Sequence, residues 1–411
     1  MAGLSVSPLA PAKQPQLPKI AGVRLAGAAI GLKKNGGRDL MLAELAEGTT
    51  VAGALTRSLC SSAPVDWCRH ALKGGKVRAI VVNSGNSNAF TGKAGDLTVE
   101  TTVKAAAALV GCGDSEVFIA STGVIGQPLP PDSIAAALPG LVKKLKPTAW
   151  NDAADAIRTT DTFAKSVTRT ATIDGVKVTI NGIAKGSGMI APDMATMLAF
   201  FFTDAAVPAK VLQKIVDRAV KRSFNSITVD SDTSTSDTVL FAATGAAGNH
   251  TASHAGHKSL KDFRHTVEDA MVELAQLIVR DGEGASKFVS IHVKGAASGG
   301  AARRVGLAIA NSPLVKTAIA GEDANWGRIV MAVGKAGEKA DRDRLGISIG
   351  GVPITRHGQI VDGYDETPVA HHMTGPNIDI EVDLDIGKGK ATVWTCDLTH
   401  GYIDINGSYR S

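Results

Sequence analysis

Residues 185–205 (KGSGMIAPDMATMLAFFFTDA) join a loop rich in glycine, methionine and proline to an unbroken apolar run. The run, Met197 to Phe202, has no polar residue on either face, which is typical of a strand covered on both sides. The glycines and the proline that precede it favour a turn of defined shape. The sequence therefore predicts a buried sheet, entered through a loop that delivers Thr196 to the start of a core strand.

Strand and helix patterns on both sides of this run predict a mixed α/β chain. A hairpin is expected over Thr170 to Asn181, because apolar and polar residues alternate around Asp174-Gly175. Ile378 to Ile386 also alternates, and it is expected to pair with Ala391 to Leu398 through the turn between them. The regular strand–helix–strand rhythm of a doubly wound fold is absent, so a layered α/β architecture with helices outside mixed sheets is expected. The other predicted strands are Val77 to Val82, Val117 to Ala120 and Phe288 to Val293, and the predicted helices are Pro208 to Phe224 and Lys261 to Arg280.

The composition restricts the class of protein. With 411 residues, of which 44% are hydrophobic, the chain can bury a large core. The net charge of +5 is spread without a dense Lys/Arg block, which argues against nucleic-acid binding. No apolar run reaches the roughly 18 residues that a membrane span needs. The four cysteines lack metal-finger spacing and are interpreted as buried thiols in a reducing cytoplasm.

The N-terminus is rich in proline and contains no acidic residue. Four prolines fall in the first 18 residues, which is incompatible with the amphipathic helix of a transit peptide. Residues 1–19 are therefore predicted to be a disordered leader.

Three groups of residues resemble ligand-binding sites but lack the residue spacing that such sites require. Gly186-Ser187-Gly188 is not followed by the Lys-Ser/Thr pair of a phosphate-binding loop. The aspartates of residues 230–237 (DSDTSTSD) lack the glycine of a calcium loop, so they are interpreted as a turn that packs near a site. The histidines lack carboxylates at ligand spacing and are interpreted as structural or solvated. These histidines are His250, His254, His257, His265, His371 and His372.

Thr196 has two interpretations from the residues alone. It can be a β-branched residue that begins a core strand. It can also be a nucleophile whose hydroxyl attacks the carbonyl of Ala195, giving an ester that water cleaves to leave Thr196 at a new N-terminus. The freed α-amine, with an unperturbed pKa of about 7.7–8.0, would then be the general base of that threonine. A small preceding residue, a shaped loop and a rigid strand suit this chemistry, and both interpretations stay open.

The same stretch closely resembles the self-cleaving ornithine acetyltransferases of the arginine pathway, also called glutamate N-acetyltransferases. The resemblance rests on Lys185 to Ile190 followed by Met194 to Leu198, and it extends from about Ile20 to the last residue. Only the leader falls outside it. Further blocks in the family's order are Ala120 to Gly126, Thr159 to Thr162, Val279 to Gly284, Asp323 to Arg328 and Ile405 to Tyr409.

The resemblance implies a layered α-β-β-α sandwich that is similar to the N-terminal-nucleophile hydrolases but topologically distinct from them. It implies self-cleavage between Ala195 and Thr196 into an α chain (20–195) and a β chain (196–411), which associate as two α and two β chains. The implied reaction is ping-pong: Thr196 takes acetyl from N2-acetylornithine, releases ornithine and passes the acetyl to L-glutamate. The resemblance implies no metal or prosthetic group. Some members also use acetyl-CoA, and the sequence leaves that choice open.

Individual site residues follow from the resemblance, position by position. Thr122 and Gly123 match the pair that stabilises the oxyanion, and such preplaced donors are worth roughly 3–4 kcal/mol each in other acyl-transfer sites. Lys185 would meet the substrate's carboxylate and Glu283 the side-chain ammonium of ornithine, both through charge-assisted hydrogen bonds. The implied substrate contacts are Thr162, Lys185, Thr196, Glu283, Asn406 and Ser411.

Three positions depart from the family's usual pattern. Asp193 stands where asparagine is more frequent, and Ser286 and Ser411 stand where threonine is. All three replacements are polar, so they are expected to affect affinity more than reaction type.

Two other functions fit parts of the sequence. The loop at Thr196 alone would suit an N-terminal-nucleophile amidohydrolase or aminopeptidase, in which water resolves the acyl-enzyme. Glu283 and residues 406–411 favour an amine acceptor instead. A non-catalytic scaffold, which need not cleave itself, is the second alternative.

Overall fold

The computed structural model describes residues 5–191 and 197–407. The strands in these ranges are β1 (Val23–Ala28), β2 (Leu40–Leu45), β3 (Thr50–Leu55), β4 (Ala79–Asn86), β5 (Val117–Val124), β6 (Lys165–Ile173), β7 (Val176–Lys185), β8 (Leu198–Thr203), β9 (Thr238–Ala243), β10 (Phe288–Ala296), β11 (Gly346–Ile349), β12 (Val352–Arg356), β13 (Gln359–Ile360), β14 (Asn377–Asp383) and β15 (Gly389–Cys396). The helices are α1 (Ala63–Ala71), α2 (Gly92–Val110), α3 (Leu138–Val142), α4 (Trp150–Ala156), α5 (Ala209–Arg222), α6 (Lys261–Arg280), α7 (Gly299–Ala310), α8 (Pro313–Ala320), α9 (Trp326–Gly334), α10 (Thr367–Met373) and α11 (His400–Gly407).

The strands assemble into three sheets. The four-stranded sheet has the order β1-β2-β4-β5, the five-stranded sheet β3-β9-β8-β7-β6, and the six-stranded sheet β13-β12-β11-β14-β10-β15. In the first two sheets, β4 is parallel to β5 and β8 is parallel to β9, and the other neighbours are antiparallel. A helix, α2 or α5, lies between the two strands of each parallel pair along the chain. The sheets are therefore mixed, as the sequence predicts.

The four- and five-stranded sheets pack face to face, with helices on their outer faces. Phe118 of β5 shares one buried core with Phe200 and Phe202 of β8. Phe201, between them in sequence, lies in the core on the opposite face, with α5 and α6. The outer face of the four-stranded sheet is covered by α2 and α3. β8 is thus buried on both faces, and the predicted α-β-β-α sandwich is confirmed.

The two predicted hairpins have different outcomes. β6 and β7 pair through Asp174 and Gly175, whose φ values of 48° and 83° are those that a two-residue hairpin turn requires. β14 and β15 do not pair with each other, so the second hairpin prediction is wrong. β10 lies between them, and the N–H groups of Ile386 and Gly387 both donate to the Gly295 carbonyl as the chain crosses the end of β10. Alternation shows which face of a strand is buried but not which strand lies beside it.

The six-stranded sheet has its own core, formed with α7, α8, α9 and α10. Two of its strands also reach the sandwich, because Phe288 at the start of β10 and Cys396 at the end of β15 belong to the core around α5 and α6. α11 follows β15 directly. This connection brings the C-terminal helix to the sandwich.

Residues 5–19 lie against the sandwich, which differs from the predicted disordered leader. Leu9 and Leu17 are buried in the cores on the two faces of the five-stranded sheet. The carbonyl of Pro18 accepts a hydrogen bond from Asn181 Nδ2 at 2.7 Å. The prolines prevent a helix, but an extended chain can still bury its apolar side chains. Residues 1–4 lie outside the described ranges.

The cysteines differ in their exposure to solvent. Cys68 and Cys396 are buried thiols, as interpreted, whereas Cys60 is exposed. Among the helices of residues 5–191 and 197–407, none is both long and apolar enough to cross a membrane.

Candidate active site

The ends of β5 and β7, one from each sheet of the sandwich, meet at the predicted site. Lys185 is the last residue of β7 and is almost fully buried. Its Nζ donates a hydrogen bond to Oγ1 of Thr122 in β5 at 3.2 Å. The bond joins a residue predicted to bind substrate to one predicted to stabilise the oxyanion.

Gly123 follows Thr122 at a point where only glycine fits. Its φ is +133°, and a Cβ there would lie 2.3 Å from the carbonyl carbon of Gly85 and 2.5 Å from the nitrogen of Asn86. The register between β4 and β5 becomes irregular at the same residues. The two backbones therefore approach more closely next to Thr122 than any side chain would allow.

Lys185 lies in the field of three carboxylates. Burial lowers the pKa of Lys185, and Asp161, Glu283 and Asp237 oppose that shift, whereas the charge of Lys165 adds to it. Lys185 thus shares its buried surroundings with three acidic side chains and a second lysine.

Lys165 is the centre of a buried ion-pair network that the sequence analysis missed. Its Nζ lies 2.6 Å from Asp161 Oδ1 and 2.5 Å from Asp281 Oδ2, and none of the three side chains is exposed. Asp161 also accepts the backbone N–H of Gly186 at 2.7 Å, directly after Lys185. Burial acts to raise the pKa of Asp161, but the two lysine charges and the Gly186 N–H bring it below its ordinary value. The network therefore fixes the end of β7.

Thr162 lies beside this network, but its hydroxyl already has two partners. It donates a short hydrogen bond to Asp281 Oδ1 and accepts the backbone N–H of Ser7 at 2.9 Å. The backbone N–H of Thr162 also donates to Asp281, at 2.9 Å. Burial raises the pKa of Asp281, and Lys165 opposes that shift. Thr162 thus anchors the N-terminal segment, and its contact with substrate stays a prediction.

Glu283 and Asn406 form the other half of the site. Asn406 Nδ2 in α11 donates to Glu283 Oε2 at 2.8 Å, and the backbone N–H of Glu283 donates to the Ser187 carbonyl at 3.0 Å. Burial raises the pKa of Glu283, and the hydrogen bonds from Asn406 and Thr160 oppose that shift. A Cβ on Gly188 would lie 2.3 Å from Glu283 Oε2, so the loop needs glycine there to accommodate the carboxylate.

Asp230 holds the loop that leads to residues 192–196. Its carboxylate accepts the N–H groups of Met189 at 2.6 Å and Ile190 at 2.9 Å, and the hydroxyl of Tyr402 at 3.2 Å. Met189 has a φ of +56°, which is uncommon for a residue with a side chain. The two backbone hydrogen bonds stabilise this unfavourable conformation. Burial raises the pKa of Asp230.

Asp237 holds the opposite flank of the same segment. Its Oδ1 accepts the N–H of Met197 at 2.7 Å, while Oδ2 is buried and makes no hydrogen bond with any described residue. Burial raises the pKa of Asp237 well above its ordinary value, against the effects of the Met197 N–H and Lys185. Residues 230–237 therefore pack against the site through Asp230 and Asp237, as interpreted.

The structure brings the predicted residues that it describes into one region at the end of β7 and the loop that follows it. Lys185 and Thr122 are in contact, Gly123 adjoins them, and Glu283 is bonded to the loop that follows Lys185. Asn406 binds Glu283, whereas Thr162 lies behind, in the ion-pair network. The predicted residues Ala195, Thr196 and Ser411, with Asp193, lie outside the described residues.

The missed residues differ in the signal that they offered. Asp161 and Asp281 fall within sequence blocks that carry the family resemblance, so their positions pointed to the site. Lys165 offered no local signal, because a lysine at the start of a strand is almost always solvated. Its burial depends on two carboxylates that are distant from each other in sequence.

The described histidines do not form a metal centre. His250 and His254 are exposed, and within residues 5–191 and 197–407 no group of three or more His, Cys, Asp or Glu residues is placed to hold a metal ion. The polar groups of the site suit a different ligand. A buried ammonium and a buried carboxylate match a small molecule that carries both charges.

Comparison with known proteins identifies similar chains. The sequence model of the ArgJ family matches residues 24–411. The arginine biosynthesis bifunctional protein ArgJ of Gluconobacter oxydans is 57% identical over 408 residues, which cover 99% of this chain and 96% of that protein. The protein of the same name from Bradyrhizobium diazoefficiens is 54% identical over 410 residues, covering 99% of each. The crystal structure of arginine biosynthesis bifunctional protein argJ from Bacillus halodurans is 38% identical, with a TM-score of 0.49, and covers 50% of this chain and 96% of that one.

Proposed function

The chain belongs to the ArgJ family, and on that basis we propose that it transfers acetyl from N2-acetylornithine to L-glutamate. The transfer is ping-pong, and Thr196 carries the acetyl group between the two half-reactions. The curated relatives are named for arginine biosynthesis. That name agrees with a reaction that releases ornithine and acetylates glutamate.

The observation that carries this proposal is the pair of opposite charges held at the end of β7 and the loop that follows it. Lys185 and Glu283 are both buried, and the N–H of Glu283 donates to the carbonyl of Ser187, two residues after Lys185. Acetylornithine offers a carboxylate for Lys185 and a side-chain ammonium for Glu283. Ion pairs with the two charges of the substrate would offset the cost of holding Lys185 and Glu283 away from water.

The chemistry follows from the same residues. The hydroxyl of Thr196 attacks the acetyl carbonyl, its proton passes to the threonine α-amine and from there to the nitrogen of ornithine, and the C–N bond breaks to release ornithine. The neutral amine of glutamate then attacks the acetyl ester, and its proton passes through the α-amine to Thr196 Oγ1 as N-acetylglutamate leaves. Thr122 and Gly123 stabilise the oxyanion of each tetrahedral intermediate. Lys185 supports this role, since the hydrogen bond that it donates to Thr122 Oγ1 favours donation by that hydroxyl to the oxyanion.

The proposal extends to processing and assembly. Cleavage between Ala195 and Thr196 separates an α chain (20–195) from a β chain (196–411), and two copies of each associate in the cytoplasm. Because the relatives are named bifunctional, acetyl-CoA is proposed as a second acetyl donor. The substrate contacts of this proposal are Thr162, Lys185, Thr196, Glu283, Asn406 and Ser411.

Intact mass and acetyl transfer, measured on the wild type and on Thr196→Ala, test the proposal. The wild type is expected to give two chains, the second beginning at Thr196, and Thr196→Ala a single inactive chain. Thr196→Ser keeps the hydroxyl and should still cleave, more slowly. A cleaved, active Thr196→Ala protein would overturn the assignment. Release of ornithine and free acetate at the full rate without glutamate would indicate the hydrolase instead.

A further inference from the structure

Asp237 occupies a special place in the five-stranded sheet. It immediately precedes β9, which runs parallel to β8, and the first register pair of the two strands is Leu198 with Thr238. The Met197 carbonyl accepts the N–H of Thr238 at 3.1 Å, so the ladder continues one residue beyond β8. The N–H of Met197 does not bond to a backbone carbonyl of β9. It donates to Asp237 Oδ1 at 2.7 Å instead.

This hydrogen bond acts on the peptide unit that joins Thr196 to Met197. The six atoms of a peptide unit lie in one plane, and the unit that contains the Met197 N–H also contains the Cα of residue 196. A partner that fixes the N–H therefore restrains the position of that Cα. With the carbonyl of Met197 held by Thr238 as well, Met197 is restrained on both sides.

The stability of the fold does not explain why a carboxyl group is buried at position 237. Asp237 is 1% exposed, and its second oxygen has no hydrogen bond among residues 5–191 and 197–407. A buried carboxyl oxygen without a hydrogen-bond partner destabilises the folded state. The Thr56 hydroxyl is close enough to favour the ionised form, but it donates to the Ser234 carbonyl at 2.8 Å. An apolar side chain at this position would bury no such unpaired oxygen.

We propose that Asp237 is a positioning residue for the nucleophile: through its hydrogen bond to the Met197 N–H it holds Thr196 in the geometry that both self-cleavage and acetyl transfer require. The inference rests on the proposed function, since it takes Thr196 as the nucleophile. Misplacing a reacting group by about 1 Å can cost roughly 100-fold in rate. A restraint one residue from the nucleophile is therefore expected to change rates more than binding.

The test compares Asp237→Ala with Asp237→Asn in the full-length chain. Asp237→Ala removes the acceptor and should slow conversion to two chains, and lower kcat for acetyl transfer, by roughly 10- to 100-fold, with KM within a few-fold. Asp237→Asn keeps an amide oxygen in the same place and should restore both rates to within a few-fold of the wild type. If Asp237→Ala does not fold, Asp237→Ser replaces it, because the serine side chain is too short to reach the Met197 N–H.

A matched control lies at the other end of the same strand. Asn249 Oδ1 accepts the N–H of Ala206, just beyond β8, also at 2.7 Å. Asn249→Ala removes this bond together with the two that Asn249 Nδ2 donates to the carbonyls of Ala206 and His250, so it should lower thermal stability while leaving processing and kcat unchanged. If Asn249→Ala slows processing as much as Asp237→Ala does, general destabilisation explains both results and the inference is wrong.

Two further outcomes would overturn the inference. Wild-type processing and kcat in Asp237→Ala would show that the hydrogen bond is dispensable. Equal losses in Asp237→Asn and Asp237→Ala would assign the effect to the charge or proton of the carboxyl. A wild type that neither cleaves nor transfers acetyl would contradict the proposed function itself, so the two failures are distinguishable.

Discussion

Lys185 Nζ donates to Thr122 Oγ1 at 3.2 Å, and this contact links the end of β7 in one sheet to the end of β5 in the other. Because the threonine oxygen accepts a hydrogen bond from Lys185, its own O–H is free to donate to another acceptor. One buried lysine thereby affects both substrate binding and the hydroxyl that is proposed to face the oxyanion.

Replacing Thr122 with alanine is expected to lower kcat by roughly 100- to 1,000-fold and to leave KM for acetylornithine within a few-fold. The reason is that an oxyanion develops only in the transition state. Steady-state kinetics on Thr122→Ala would show this, and Thr122→Ser, which keeps the hydroxyl, should retain much of the activity. A large change in KM at constant kcat would instead assign Thr122 to ground-state binding.

Replacing Lys165 with methionine is expected to lower the free energy of unfolding by about 3–5 kcal/mol. The substitution leaves Asp161 and Asp281 buried without their shared cation. Urea unfolding of the wild type and Lys165→Met at pH 7 measures the loss. Lys104→Met, which breaks the exposed pair with Glu100, is the control and should change stability far less, because solvent screens that pair.

The loss in Lys165→Met should also depend on pH. In the wild type the folded-state pKa of Asp161 is below its unfolded value, so its stabilisation is present above about pH 3.9 and is lost as the pH falls through the folded pKa. Without Lys165 that depression is weakened. The part of the difference between variant and wild type that comes from Asp161 should therefore shrink as the pH is lowered below about 4. A difference that stays constant would mean that packing, and not charge, accounts for the loss.

Replacing Glu283 with glutamine is expected to separate the two half-reactions. Glu283 should favour the ammonium of ornithine and disfavour the side-chain carboxylate of glutamate, so Glu283→Gln should impair acetyl-enzyme formation far more than its discharge to glutamate. Removing one partner of a buried charged pair costs about 3–5 kcal/mol. Mass spectrometry of the acetyl-enzyme measures formation and discharge separately. Equal losses in both steps would mean that Glu283 supports the structure of the site.

The pH profile gives a second measurement on the same residue. Since burial raises the pKa of Glu283, the wild-type carboxylate should become protonated at a higher pH than an ordinary glutamate. Acetyl-enzyme formation should decline over that range as the pH falls. Glu283→Gln should lack this decline. Glu273→Gln, at an exposed residue paired with Arg169, should keep it.

The sequence predicted the layers better than their connections. The apolar run at β8 specified a strand covered on both faces, and the helical pattern of Lys261 to Arg280 matches α6 residue for residue. The partner of β14 was predicted incorrectly, because β10 lies between β14 and β15 and pairs with both of them. Local patterns determine burial, whereas strand neighbours depend on contacts between distant segments.

The candidate site shows the same division. The resemblance supplied Thr122, Lys185 and Glu283, and the structure brings them to one region. Lys165 escaped notice because only the folded chain places it between two carboxylates. The N-terminal segment was similarly underestimated, since its burial depends on contacts with residues much later in the chain.

The order of strands in the five-stranded sheet determines what happens after the proposed cleavage. β8 and β9 come from residues 196–411, and they lie between β3 on one side and β7 with β6 on the other, all from residues 20–195. The two pieces are therefore interleaved within one hydrogen-bonded layer, and separating them is equivalent to unfolding that layer. Unfolding of a cleaved molecule releases two separate chains, whereas unfolding of an uncleaved molecule gives a single chain. For the cleaved molecule the midpoint of unfolding should thus rise with protein concentration, and its refolding should become second order, as for the subunits of an obligate dimer.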